Sequence, residues 1–371
     1  MSKTSVLHII DSLPVGGAEK LLVGVVNSLH EYDNHLIYLG GSNKLVSELT
    51  SDCKITKLHS SKTSRWNIPV FAYRVNKYIR QHNIDIVHSH LVMATLVARM
   101  ACPSDVKLFN TIHSLVGSRF FGRGNIGLKL LEKMTYKKRH HIIAVSEEVL
   151  HDYDYYIGIK GAYNILPNFI DDQYFTNKYK KAAFTESLRM VMIGNLKPAK
   201  NYPYLLEAFK KLPGTVQLDI YGDGPLRDDF QSVINKNGLN IRLCGTISNA
   251  HEILSDYDLF IMSSSFEGHP LSLLEAMALG MPTAVSDIPV LRETTGNKGI
   301  YFKLNDPNDF VKKINAVAAH EVDLDEYAKH NFELSKKLIT KQAYIRALSQ
   351  IYQSFKSKNY VFNGRHKYSN I

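Results

Sequence analysis

Residues 259–282, LFIMSSSFEGHPLSLLEAMALGMP, decide how this chain is read. The apolar run Leu259–Met262 has the length and composition of a buried strand. It ends in a polar turn, Glu267-Gly268-His269-Pro270, which opens a helix over Leu271–Leu279, and Gly280 and Pro282 close that helix. Strand, turn and helix in this order are the unit of an α/β layer. The helix is apolar almost all round, which predicts burial. Its one charge, Glu275, then needs strong donors, because an unpaired buried carboxylate is costly. The helix start offers unbonded N–H groups and the positive end of the helix dipole, for which phosphate is the usual guest. A carboxylate beside an anion hole fits a nucleotide, with ribose hydroxyls on the first and diphosphate on the second. An ordinary capped helix with one paired glutamate accounts for this segment alone equally well.

The same strand–helix unit recurs in both directions. Val6–Ile10, Leu36–Leu39, Ile84–His88, Leu108–His113 and Ile142–Val145 read as short buried strands. Helices are expected over Ala18–Leu29, Val70–His82, Val92–Met100 and Glu147–Tyr155. After Ile165-Leu166-Pro167-Asn168 a polar stretch, Asp171–Ser187, interrupts the pattern. It restarts with strands at Arg189–Ile193, Gln217–Tyr221, Ile241–Cys244, Leu259–Met262 and Thr283–Val285. Such alternation predicts an α/β chain of two parallel sheets, each covered on both faces. Ligands of these sheets lie at the carboxyl ends of the strands, so a cleft between two facing domains is the expected site. The expected division is residues 1–168, residues 169–345, and a terminal piece, 346–371, whose helix returns to the first domain. The tail from Asn359 is polar and expected to be loose.

Length and composition agree with two domains of ordinary size. Of the 371 residues, 44% are apolar and 22% charged. No apolar run approaches the roughly 18–20 residues that span a bilayer. The opening MSKTSVLHIIDS lacks a small-residue cleavage site and reads as a first strand, not a leader. Three separated cysteines make no disulfide framework and suit a reducing cytoplasm. The net charge of +10, most of it carried before residue 169, favours an anionic partner, either a phosphorylated substrate or a membrane surface.

Several motifs follow strands. Gly16 and Gly17, in Asp11-Ser12-Leu13-Pro14-Val15-Gly16-Gly17, join the first strand to the first helix, where paired glycines allow close backbone approach to phosphate. Gly194-Asn195-Leu196-Lys197-Pro198-Ala199-Lys200 sits at the corresponding place in the second half, and Lys197 and Lys200 supply point charges suited to phosphate. His88, His90 and His113 stand at or just beyond strand ends. His-x-His with no third ligand at suitable spacing is a weak metal signal, and His113 is the better functional candidate. The pairs Asp152-x-Asp154 and Asp256-x-Asp258 are short enough to arise by chance, and turn hydrogen bonding explains the second. No metal is expected. Arg119-Phe120-Phe121-Gly122-Arg123 leads into an expected helix over Ile126–Arg139, with Ile126, Leu130, Leu131 and Met134 as a stripe and Lys129, Lys133, Lys137 and Lys138 beside it. This is either an interfacial helix drawn to anionic lipid, through residues 119–139, or a core-facing helix with a solvated basic face. No nucleic-acid-binding module is recognised and no nucleic-acid partner is expected.

With these residues in place, the chain resembles the family 4 glycosyltransferases of the GT-B fold over almost its whole length. The strongest marker is Glu267-x7-Glu275. Gly16-Gly17, Thr111-Ile112-His113, Pro167-Asn168-Phe169-Ile170-Asp171, Tyr221-Gly222-Asp223-Gly224-Pro225-Leu226 and Ser286-Asp287 running to Glu293 support it. The resemblance implies two Rossmann-like domains, the first on the acceptor side and the second binding the nucleotide sugar. It implies transfer of a sugar from a nucleoside diphosphate, UDP before GDP, to a glycan or lipid-linked acceptor, with retained anomeric configuration and no cofactor. Glu275 would hold the ribose, and Lys200 the phosphate. Glu267 and the amides of Gly268, His269, Pro270 and Leu271 (proline contributing no N–H) would face the donor sugar and diphosphate. Gly16 and Gly17 would close on the diphosphate, with His113 touching the transferred sugar. Asn195 stands where the family usually has arginine, and Lys197 is the candidate replacement.

The chemistry suits those roles, because fixed cations and N–H donors stabilise charge that builds on a departing diphosphate. No carboxylate pair at glycosidase spacing is inferred. The expectation is a bacterial-type cytoplasmic transferase of surface polysaccharide or glycolipid synthesis, acting at the inner face of the membrane. The rivals are a sugar-nucleotide epimerase or phosphorylase of the same fold, and a non-catalytic nucleotide-sugar binder.

Overall fold

The structure is a computed structural model that describes residues 3–59, 67–117, 125–175, 186–247, 249–338 and 340–354. In chain order the first elements are β1 (Thr4–Ile10), α1 (Gly17–Val26), β2 (Tyr32–Tyr38), β3 (Lys54–Lys57), α2 (Ile68–Gln81), β4 (Ile86–His90), α3 (Val92–Ala101), β5 (Lys107–Ile112), α4 (Ile126–Thr135), β6 (His141–Ala144), α5 (Glu147–Tyr156) and β7 (Tyr163–Ile165). There follow β8 (Leu188–Ile193), α6 (Tyr202–Phe209), β9 (Val216–Tyr221), α7 (Arg227–Asn237), β10 (Ile241–Gly245), α8 (His251–Leu254), β11 (Leu259–Met262), α9 (Leu271–Ala278), β12 (Thr283–Ser286), α10 (Pro289–Thr294), β13 (Ile300–Phe302), α11 (Pro307–Ala318), α12 (Leu324–Ser335) and α13 (Lys341–Ser354).

Contacts divide the chain into unit 1, Met1–Asn168 with Lys341–Ile371, and unit 2, Phe169–Thr340. The return to unit 1 therefore falls at Lys341 and not at 346, because the whole of α13 goes with unit 1. The tail from Asn359 and part of the 171–187 stretch lie outside the described residues.

Unit 1 is built on a parallel sheet of order β3-β2-β1-β4-β5-β6-β7. Strand alternation gives its faces different chemistry. Leu7 and Ile9 of β1 and Val87 of β4 pack with Phe71, Val75 and Ile79 of α2 and with α3. The i, i+4, i+8 spacing on α2 is that of a core-facing helix stripe. The opposite face carries His8, His88 and His90, all buried, and Tyr352 of α13 packs on His88.

Unit 2 is a parallel sheet of order β10-β9-β8-β11-β12-β13. On one face Met190, Met192, Leu218 and Ile220 pack with α6 and α11. On the other, Val191, Phe260, Met262 and Val285 pack with α9. Both faces are thus apolar, as in sheets covered by helices on two sides. The sheet order reverses direction in chain order between β8 and β11, and such switch points are where open α/β sheets bind ligands.

The structure moves several expected boundaries. The strand expected at Ile84–His88 runs two residues later, which brings His90 inside it. The helix expected over Ile126–Arg139 stops at Thr135, because Tyr136 turns to extended backbone and buries its ring. That ring lies 4.6 Å under the Arg99 guanidinium. The residues before it, 118–124, are outside the described set. Among the described residues no helix is long and apolar enough to cross a membrane, and Cys53, Cys102 and Cys244 are free thiols.

Candidate active site

The loop after β8 and the loop after β11 meet at the switch point of unit 2. Ser265 N–H donates to the Ala199 carbonyl at 2.9 Å, and the Ser263 hydroxyl to the Lys200 carbonyl at 2.7 Å. Behind them, the Tyr202 hydroxyl donates to the Gly194 carbonyl at 2.7 Å. A third loop, Gly222-Asp223-Gly224, lies directly against the first, backbone on backbone. A Cβ at Gly222 would come within 2.0 Å of the Gly194 carbonyl oxygen, and one at Gly224 within 2.4 Å of that of Leu196. Glycine is required at both places by close approach.

Lys200 and Glu267, named separately in the sequence, form an ion pair across these loops, with Nζ 2.6 Å from Oε1. Lys200 ends the single turn Pro198–Lys200 and precedes Asn201, whose backbone is left-handed at φ 51°. This sharp change of direction turns the chain from the loop into α6. Asn195 and Lys197 sit in the same loop, joined by a backbone hydrogen bond from Lys197 N–H to the Asn195 carbonyl at 2.8 Å.

Beyond Glu267 the chain passes through Gly268, His269 and Pro270 into α9. Pro270 is the N-cap and supplies no side-chain cap. The amides of Gly268, Leu271 and Ser272 donate to no acceptor among the described residues, so this helix start keeps free donors with the positive dipole end behind them. The helix ends in a glycine motif: Gly280 is left-handed at φ 71°, and Met281 N–H reaches back to the Ala276 carbonyl at 3.0 Å. Desolvation pushes His269 down to about 4, so its imidazole is neutral at pH 7.

Glu275 is half-buried on α9, not fully enclosed as the apolar helix suggested. The helix leaves one side, with Leu271, Ser272 and Glu275, partly open, while Leu273, Leu274, Ala276, Met277 and Ala278 are buried. Its carboxylate is hydrogen-bonded to Tyr174, and burial first, then the Glu275 charge, pushes the Tyr174 hydroxyl well above its usual range. Tyr174 escaped the sequence reading because it lies in the polar stretch Asp171–Ser187 near the start of unit 2. Ser264, also missed, is buried with an Oγ that has no hydrogen-bond partner among the described residues.

In unit 1, Gly16 is extended at φ −153° and caps α1, and Gly17 is the first residue of that helix. His113 lies just past β5, half-buried, with Nε2 3.1 Å from Nδ1 of His90. Desolvation lowers it to about 4. Asp11, just past β1, accepts from the Ala94 amide at 2.6 Å, at the start of α3. The structure adds His8 to the His88–His90 pair, so that one potential ligand atom from each lies within 4.8 Å of the others; residue 8 is too remote in sequence to have been counted. Three carboxylates of the Asp-x-Asp pairs are engaged with backbone: Asp152 accepts from the Gly117 amide at 2.6 Å, Asp154 from that of Ile159 at 2.7 Å, and Asp258 from that of Arg189 at 2.8 Å.

Known families match both units. The Glycosyltransferase Family 4 profile matches residues 15–174, and the Glycosyl transferases group 1 profile matches residues 174–333. The chain is 29% identical over 280 residues to the UDP-Gal:alpha-D-GlcNAc-diphosphoundecaprenol alpha-1,3-galactosyltransferase of Escherichia coli, covering 66% of this chain and 69% of that one. It is 26% identical over 304 residues to the N-acetylgalactosamine-N,N'-diacetylbacillosaminyl-diphospho-undecaprenol 4-alpha-N-acetylgalactosaminyltransferase of Campylobacter jejuni, covering 75% and 79%. In fold it is similar to HepE of Anabaena, solved in complex with UDP, with a TM-score of 0.78 over 95% of this chain and 100% of that chain, at 15% identity. Two parallel α/β units matched by the two halves of one enzyme family lead to one conclusion: the chain belongs to the family 4 glycosyltransferases and has the GT-B fold.

Proposed function

We propose that this glycosyltransferase takes a hexose or N-acetylhexosamine from UDP, with retention of configuration, and passes it to a polyprenyl-diphosphate-linked sugar in bacterial surface-polysaccharide synthesis. The observation that carries the donor half is the switch point of unit 2, where an ammonium, a carboxylate and unbonded helix-start amides stand together. Cleavage of the sugar–phosphate bond puts negative charge on the departing diphosphate. Lys200 and the amides of Gly268, Leu271 and Ser272 are fixed donors for that charge, and need little reorganisation as it develops. Lys197 takes the place of the arginine that Asn195 replaces. Glu275, with Tyr174 beside it, accepts from the ribose hydroxyls. Of the residues in unit 1, the family resemblance assigns Gly16 and Gly17 to phosphate contact and His113 to sugar contact. The UDP bound to the structural neighbour supports the base, and the diphosphoundecaprenol substrates of the two relatives support the acceptor class. No metal is assigned a role.

A membrane-side location follows from the acceptor and is supported by α4. Ile126, Leu130 and Met134 are 80%, 56% and 69% exposed on one stripe of that helix, with Lys129 and Lys133 nearby in sequence, while Leu128 and Leu131 pack against the core. An exposed apolar stripe among lysines suits an anionic lipid surface.

The test is a panel of UDP- and GDP-sugars incubated with a polyprenyl-diphosphate-linked monosaccharide. Acceptor-dependent release of UDP with a lengthened glycolipid is the expected outcome. Donor conversion without acceptor, or strict dependence on inorganic phosphate, would replace this reading with the epimerase or the phosphorylase.

A further inference from the structure

A line of imidazoles crosses one face of the unit 1 sheet and has no part in the roles above except at its last member. Nδ1 of His8, in β1, lies 3.4 Å from Nε2 of His90, at the end of β4. Nδ1 of His90 lies 3.1 Å from Nε2 of His113, just past β5. His88 lies beside His90, with ring centres 4.3 Å apart, but stays outside the line. Its Nδ1 is held by the Tyr352 hydroxyl at 2.6 Å and its Nε2 by that of Thr111 at 2.7 Å. Both nitrogens of His88 are therefore engaged, which argues for a hydrogen-bonded line and against a three-histidine metal site.

Burial lowers the basicity of His8, His90 and His113, so at pH 7 each ring is neutral and carries one N–H. The central ring, with one proton and two hydrogen-bonded neighbours, must donate to one and accept from the other. Only two arrangements of the line exist, and they run in opposite directions. In the inward arrangement His113 donates to His90, His90 donates to His8, and the proton of His8 sits on Nε2. That nitrogen is buried and has no partner among the described residues. A buried N–H without an acceptor is the rarer and costlier defect, compared with a bare lone pair. The outward arrangement avoids it: His8 donates from Nδ1 to His90, His90 donates from Nδ1 to His113, and His113 carries its proton on Nδ1. That atom has no hydrogen bond among the described residues, and His113 is only half-buried.

We infer that His8 and His90 are positioning residues that set the tautomer of His113, so that it meets its ligand as a hydrogen-bond donor through Nδ1. The consequence for catalysis rests on the reading of His113 as a contact of the transferred sugar, whose hydroxyl oxygen would accept from Nδ1–H. The tautomer itself belongs to the ligand-free chain.

The experiment is nitrogen-detected NMR of the full chain labelled with 15N-histidine at pH 7.5, with His113 assigned by His113→Gln. The expected wild-type spectrum has His113 protonated at Nδ1 and bare at Nε2. His8→Phe keeps a ring and removes the donor, and should move at least half of His113 to the Nε2–H form and cut kcat about tenfold with KM for the donor sugar unchanged. His8→Asn places an amide N–H near the lost Nδ1 and should restore both. A wild-type His113 protonated at Nε2, a tautomer unmoved by His8→Phe, or shifts of the His8 and His90 signals on adding equimolar zinc chloride would each overturn the inference. The wild-type spectrum decides even if His8→Phe fails to fold. A tautomer that moves while turnover does not upholds the inference and removes the sugar contact of His113 instead.

Discussion

Nζ of Lys200 lies 2.6 Å from Oε1 of Glu267, and the two side chains are only 17% and 15% exposed. Shielding strengthens the attraction between the two groups but costs both their hydration, so the pair fixes geometry more than it adds stability. It also holds the ammonium beside the start of α9, where the proposed diphosphate would rest. Lys200→Ala should therefore lower kcat for sugar transfer by about a hundredfold, in the range measured for loss of one preorganised donor to a developing anion. Steady-state UDP release checks this, and activity within threefold of wild type would remove Lys200 from the leaving-group site.

The α4 stripe makes a separable prediction. Replacing Ile126, Leu130 and Met134 together by serine should leave the thermal midpoint within about 2 °C, since exposed positions rarely matter to stability. Sedimentation with vesicles rich in phosphatidylglycerol at low salt should fall at least fivefold. Equal sedimentation of variant and wild type would end the interfacial reading.

Arg99 and Glu132 form an ion pair with almost no exposure, tied to Asn110 and Tyr153. Removing one partner strands the other charge, so Arg99→Met should destabilise unit 1 by about 3–5 kcal/mol. The double replacement Arg99→Met with Glu132→Leu should recover most of that loss. Urea unfolding of the three proteins measures it, and an unrecovered double variant would contradict the account.

Stability should depend on pH through two opposed groups. His8 and His140 are lowered to about 3, and His113 and His141 to about 4, against about 6.5 in the unfolded chain. Between pH 4 and 6.5 the unfolded state binds more protons, so stability falls as the solution is acidified through that window. Asp11 acts the other way: burial raises it to about 7, so the folded state binds the extra proton between the unfolded value near 3.9 and pH 7. Its contribution is lost as pH rises through 7. The histidines outnumber it, and the net expectation is stability rising from pH 4.5 to 6.5. Asp11→Asn should make that rise steeper by up to one proton. Urea midpoints across the range test it, and a flat profile for both proteins would contradict the assignments.

Much of the fold was legible because buried parallel strands are short apolar runs and their helices carry a regular stripe. Leu259–Met262 was read at its observed bounds for that reason. Strands β3, β7 and β13 were not: all three are sheet edges, the first two have no buried side chain, and β13 has three residues only. Lys200, Glu267 and the start of α9 could be named because the Gly194–Lys200 loop and the Glu267-x7-Glu275 segment each follow a strand. Their ion pair could not, because it joins loops 67 residues apart. Tyr174 was hidden in a polar stretch with no periodicity. His8 was hidden inside a strand that needed no explanation until the sheet order set it beside β4.

The central claim, that the switch point of unit 2 holds a nucleoside diphosphate through Glu275 and the start of α9, is tested most directly by calorimetric titration of UDP into wild type and Glu275→Ala. The account predicts that UDP binds the wild type and binds Glu275→Ala at least tenfold more weakly, with both proteins unfolding at similar temperatures. Equal affinity in the two would contradict it.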